Sequence, residues 1–143
     1  MRKTTLVIGL LAATFAATSA AHAQMTTYKA TLSGKNERPA NATSGQGSAV
    51  VNVDPTTKEL SWRIEYSGLT GAAMAAHIHC GAGPEANGPV AVQVGQPPNL
   101  ASPLTGSGKM SDAQLADLTA GKCYLNIHTV ENKGGEIRGQ LTR

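Results

Sequence analysis

Apolar and polar residues alternate with a period of two along most of the chain from Thr27 onward, which predicts short strands rather than helices. Thr27–Leu32 is the first such run. The polar stretch Ser33–Gly47, rich in Gly, Asn and Ser, reads as a loop. Gly47–Val53 is a second strand, closed by the turn Asp54-Pro55-Thr56-Thr57 with proline at its second position. Glu59–Tyr66 answers it as the other arm of a hairpin. It puts Leu60, Trp62, Ile64 and Tyr66 on one face and Glu59, Ser61, Arg63 and Glu65 on the other. After Gly68-Leu69-Thr70-Gly71 comes a strand carrying His77-Ile78-His79, then a loop over Gly81–Pro89 and a strand over Val90–Val94. Gly95–Pro103 is a further loop and Leu104–Gly108 a short strand.

One segment breaks the alternation. Ser111 is placed as a helix N-cap with Gln114 as its capping-box partner, and Met110 and Leu115 as a hydrophobic staple. Leu115 and Leu118 form the buried stripe and Gly121 ends the helix. The chain then enters a strand over Cys123–Thr129, turns through Glu131-Asn132-Lys133-Gly134 and closes with a strand over Gly135–Leu141. About eight strands and one short helix predict an all-β fold, an antiparallel Greek-key sandwich or barrel. The pattern does not specify strand order.

The N-terminus departs from this design. Arg2 and Lys3 precede the largely apolar run Leu6–Ala17, and Ala21-His22-Ala23 fits a small-x-small cleavage site. Residues 1–23 are therefore expected to be a signal peptide and 24–143 the single mature domain. The apolar run is too short for an ordinary membrane span, and no cysteine near the cleavage site suggests a lipid anchor. The expected address is a periplasm or the outside of the cell. Without Arg2 and Lys3 the charge is nearly balanced, ten basic residues against nine acidic. The basic residues are scattered and have no interleaved aromatic platform, so a nucleic-acid partner is not expected.

The chemistry is concentrated in Ala76-His77-Ile78-His79-Cys80-Gly81 and Cys123-Tyr124-Leu125-Asn126-Ile127-His128-Thr129. Strand parity puts His77 and His79 on one face, with Ile78 and Cys80 on the reverse. The second run places Tyr124, Asn126 and His128 together, opposite Cys123, Leu125 and Ile127. With the apolar faces inward, three imidazoles project outward as a candidate metal site, and the two cysteines lie in the core. Cys80 then points away from the histidines, so a disulfide with Cys123 is expected rather than metal ligation, as suits an oxidising compartment. Neutral imidazole suits copper, zinc, nickel and iron, and divalent copper heads the intrinsic affinity order. A zinc hydrolase would need a carboxylate base, and Glu85, Glu131 and Glu136 have no diagnostic spacing for one.

Gly68-Leu69-Thr70-Gly71, Ala76-His77-Ile78-His79, Tyr124–Thr129 and Gly134-Gly135-Glu136-Ile137-Arg138-Gly139-Gln140-Leu141 together resemble the CHRD domain, named from chordin, over nearly the whole mature chain. CHRD modules also occur inside large extracellular proteins. Gly-Leu-Thr followed by His-x-His has a more distant resemblance to the copper-ligand strand of copper–zinc superoxide dismutases. That resemblance implies copper-ligand roles for His77, His79 and His128, and an anion-guiding role for Arg138. It also implies a disulfide near the site, which Cys80 and Cys123 parallel. The mature chain has no further histidine for a bridge to zinc, so a zinc site is not expected.

Three functions follow as expectations. One is a copper-only superoxide dismutase with superoxide as its small-anion substrate. A second is a copper buffer or carrier without turnover. The third is an extracellular structural or binding module with incidental histidines.

Overall fold

The computed structural model describes residues 24–143, and the expected signal peptide lies outside the described residues. Eight strands form one antiparallel sheet: β1 (Thr26–Ser33), β2 (Gln46–Val53), β3 (Glu59–Ser67), β4 (Ala73–His79), β5 (Val90–Gly95), β6 (Leu104–Lys109), β7 (Tyr124–Thr129) and β8 (Ile137–Gln140). Their order is β5-β4-β7-β8-β1-β2-β3-β6. The two end strands, β5 and β6, pack near each other, so the sheet curls into a nearly closed barrel. The predicted all-β antiparallel class and the single helix are therefore present.

The alternation places the core. Leu60, Trp62 and Ile64 of β3 point inward beside Ala49, Val51 and Val53 of β2, and Ile78, Leu125 and Ile127 continue that interior across β4 and β7. Trp62 is accommodated by two glycines on the neighbouring strand. A Cβ at Gly106 would stand 2.7 Å from the indole Cζ2, and one at Gly108 would touch the same ring at 3.3 Å. Gly139 on β8 instead lets the β1 backbone approach closely, since a Cβ there would collide with the Thr31 carbonyl. With few aromatics, this core depends on close backbone approach as much as on side-chain volume.

The helix α1 (Asp112–Thr119) carries the full capping box, with Ser111 and Gln114 bonding reciprocally. Gln114 Nε2 also donates to the Ala91 carbonyl, which fastens α1 to β5. Leu118 and Met110 are buried, and Gly121 takes a positive φ of 73° just past the helix. The connector thus delivers the chain to Cys123 in a fixed position.

Two expectations need correction. Ser33–Gly47 is not uniformly irregular: a 3-10 turn occupies Gly34–Asn36 and β2 begins one residue early, at Gln46. The closing strand is shorter than Gly135–Leu141. Gly135 has φ 132°, off the extended path, and regular pairing begins at Ile137. Among the described residues, no helix is long and apolar enough to cross a membrane.

Candidate metal centre

β4 lies between β5 and β7, and the β4–β7 register sets Ala75 opposite His128, His77 opposite Asn126 and His79 opposite Tyr124. His77 and His128 are thus diagonal neighbours on the outer face, with His79 one pleat further along. One nitrogen from each of His77, His79 and His128 lies within 4.8 Å of the others. Imidazole nitrogens that share one ion at about 2.0–2.1 Å stand roughly 3.3–4 Å apart, so the rings are close to a ligating arrangement.

The second nitrogen of each ring fixes its tautomer. His79 Nδ1 donates to the Gly88 carbonyl at 2.8 Å, and His128 Nδ1 donates to the Lys133 carbonyl at 2.9 Å. His77 Nε2 donates to Gln93 Oε1 at 3.0 Å, and Gln93 is oriented by donating its own Nε2 to the Gly95 carbonyl. Lone pairs are therefore left on His77 Nδ1, His79 Nε2 and His128 Nε2, the three atoms that face one another. Such outer contacts are how metal-binding imidazoles are held and made more basic. His79 Nε2 is buried and has no hydrogen-bond partner. A buried acceptor left empty is costly, and a cation at that point offsets the cost. The donor set fits a metal ion.

The electrostatics agree. Burial, opposed by the hydrogen bonds to Gln93, Gly88 and Lys133, holds all three imidazoles below the ordinary histidine pKa. They stay neutral, as ligands must, to lower pH than a free histidine would.

The outer face is not open to solvent as the strand pattern alone implied. Tyr124, Asn126 and Arg138 are all buried, because residues 34–43 and 81–89 fold across them. Arg138, expected as an anion guide, is only 1% exposed. Its guanidinium lies 3.4 Å from the centroid of the Tyr124 ring and donates to Asn87 Oδ1 and to the carbonyls of Gly83, Pro84 and Ala86. Nη1 and Nη2 of the guanidinium are thus turned toward the 81–89 loop, beneath the surface. Tyr124 in turn stacks on His79, with the rings parallel to 1° and their centroids 4.9 Å apart.

Two buried carboxylates flank this layer. Glu136 accepts from the hydroxyls of Thr43, Thr70 and Thr129, the backbone N–H of Thr70 and the amide of Asn132. Burial works against its charge, but these donors prevail and hold its pKa at about 2. Glu37 has fewer partners. Burial raises its pKa to about 7, against the lowering effects of Arg138 and of the Asn126 amide, which donates to it at 2.5 Å.

On the opposite face, Cys80 and Cys123 form the disulfide, joining the end of β4 to the start of β7. The two cysteines and the three histidines lie on the faces that strand parity assigns them. Parity put Tyr124 on the histidine face without showing its stacking on His79, and it missed Gln93, Gly88 and Lys133, which also support the rings. Gln93 sits in a predicted strand whose register was not readable, and the Gly88 and Lys133 contacts are made by backbone oxygens, which have no sequence signature.

A disulfide-linked, eight-stranded antiparallel barrel with a three-histidine face defines the class of domain. The chain belongs to the CHRD domain family, whose profile matches residues 28–141, from β1 to just past β8. No curated protein and no solved structure matches the chain.

Proposed function

We propose that this CHRD domain is an exported copper-binding protein whose three-histidine centre dismutates superoxide. The observation that carries the reading is the convergence of three ring nitrogens within 4.8 Å, each on a ring whose other nitrogen faces an oxygen acceptor. His77 Nδ1, His79 Nε2 and His128 Nε2 would hold the ion. Copper supplies reversible one-electron chemistry there, which zinc does not, and three protein ligands leave room for a small anion. The chain's own residues keep the imidazoles neutral, fix their orientation and shield the far side of the site with the 81–89 loop. The disulfide and the occurrence of CHRD domains in extracellular proteins support export.

A second reading, storage or carriage of copper without turnover, is favoured by one observation. Arg138 is buried, whereas the dismutase resemblance implied a guiding cation at the centre.

Metal analysis of protein purified without an affinity tag, then superoxide assays of copper-loaded wild type and His77→Ala, separate these. Wild type should bind one copper and dismutate superoxide much faster than the His77→Ala protein. Stoichiometric copper with equal rates leaves the storage reading, and absence of copper binding removes both.

A further inference from the structure

We propose that Arg138 is a positioning residue for His79, acting through the 81–89 loop and the Tyr124 ring rather than on any substrate. The inference rests on the metal-centre reading, but its first test needs no metal.

The argument starts from what a buried guanidinium requires. Removing a cation from water is tolerated only when its N–H groups find acceptors. Arg138 meets that demand with the carbonyls of Gly83, Pro84 and Ala86 and with Asn87 Oδ1, all within one loop. That loop has few other anchors. The Pro89 carbonyl accepts from the Cys80 N–H at its far end, Asn87 donates to the Arg38 carbonyl, and Glu85 pairs with Arg38 at the surface. The Ala86 N–H bonds within the loop, to the Gly83 carbonyl. Arg138 therefore gathers several carbonyls that would otherwise repel one another and gives the loop its shape.

The next residue in the loop carries the consequence. The Gly88 carbonyl accepts from His79 Nδ1, and the Gly88 N–H donates to the Tyr124 hydroxyl at 3.2 Å. Tyr124 is the ring that Arg138 covers and that stacks on His79. β4 and β8 flank β7 on opposite sides, so Arg138 and His79 reach the tyrosine from either side. Two routes thus converge on one imidazole. The loop sets the tautomer through Gly88, and the tyrosine sets the ring plane. Both aim the buried, unpartnered His79 Nε2 at the ligand position.

Nitrogen-detected NMR of the metal-free protein reads the His79 tautomer directly. Wild type should show a protonated Nδ1. Arg138→Met should show averaging between tautomers at His79 while His128, held by Lys133, keeps its own. Arg138→Lys should fall between, since one ammonium cannot reach four acceptors. Copper competition titrations should then show affinity weakened about 10–100-fold in Arg138→Met, with an altered copper spectrum. Tyr124→Phe, which removes only the hydroxyl bonded to Gly88, should move both readouts the same way by less, and it keeps the test available should Arg138→Met not fold. An unchanged His79 tautomer in folded Arg138→Met, or in Tyr124→Phe where Arg138→Met does not fold, overturns the proposal. Failure of wild type to bind copper overturns the metal reading instead and leaves the tautomer result to judge this one.

Discussion

His77 Nδ1 and His128 Nε2 stand 3.0 Å apart, and the tautomers assigned from their far-side hydrogen bonds leave both without a proton. The proton of each ring is committed to an oxygen on its far side, Gln93 Oε1 for His77 and the Lys133 carbonyl for His128. Two lone pairs at hydrogen-bond distance repel unless a cation lies between or beside them. The fold holds them there because β4 and β7 are adjacent and the two residues are diagonal across the pair.

The Gln93 contact is therefore adjustable. Gln93→Leu removes the acceptor for His77 Nε2 and should weaken copper binding about 10-fold or more. Gln93→Glu keeps an acceptor for His77 but sets a carboxylate oxygen against the Gly95 carbonyl, so its effect should be smaller than that of Gln93→Leu. Competition titrations of both proteins check this, and unchanged affinity in Gln93→Leu contradicts the assigned His77 tautomer.

Glu136 makes stability acid-sensitive. Its carboxyl sits at about 2 in the folded chain against an ordinary 4.5. The unfolded chain therefore binds the proton more readily between those values. Its stabilisation is complete above about pH 4.5 and is lost as pH falls toward 2, with a size on the order of 2–3 kcal/mol. Denaturant unfolding at pH 7 and pH 3 should show this loss. Glu136→Gln should be less stable at pH 7 and should lack that part of the slope.

Glu37 acts in the opposite direction. Its carboxyl is raised to about 7, so the folded chain holds the proton that the unfolded chain releases near 4.5. Its contribution is fully present below about pH 4.5 and declines as pH rises through 7. Glu37→Gln keeps an oxygen for the Asn126 amide and removes the buried charge. The substituted protein should gain stability over wild type at pH 8 and match it near pH 4, as measured by thermal melting across that range.

The disulfide closes a separation of 43 residues. Replacing Cys80 and Cys123 together with alanine should cost about 2–4 kcal/mol. Copper affinity should fall as well, since Cys80 adjoins His79 and Cys123 adjoins Tyr124. Unreduced wild type should show no alkylatable thiol by mass spectrometry.

Much of this architecture was legible from periodicity. Leu60, Trp62 and Ile64 announced their inward face, Ser111 and Gln114 announced the helix start, and the parity of His77, His79 and His128 announced a shared face. The loops Gly81–Gly88 and Val130–Gly134, which directly follow His79 and His128, were placed to fold back as rims over that face, but the burial beneath the cover was not legible. Arg138 and Glu136 alternate with Gly139 and Ile137 as surface residues of a closing strand would. Their burial follows from distant loops whose threonines, carbonyls and asparagines find them only after folding. Strand order was unreadable for the same reason: β8 lies between β7 and β1, a pairing set by chain closure rather than by local pattern.

All three histidines lie on two adjacent strands, and those strands are covalently joined beside the site. An ion bound there has a residence time governed by local motion, because the β4–β7 pair keeps its register while loops or edge strands open. Lifting of the 81–89 loop or of the turn after His128 would each free one ring from its carbonyl and so loosen a bound ion. The rate of metal exchange should therefore be much faster than the rate of global unfolding. Denaturant below the unfolding transition should accelerate exchange only slightly, since lifting a loop exposes little surface.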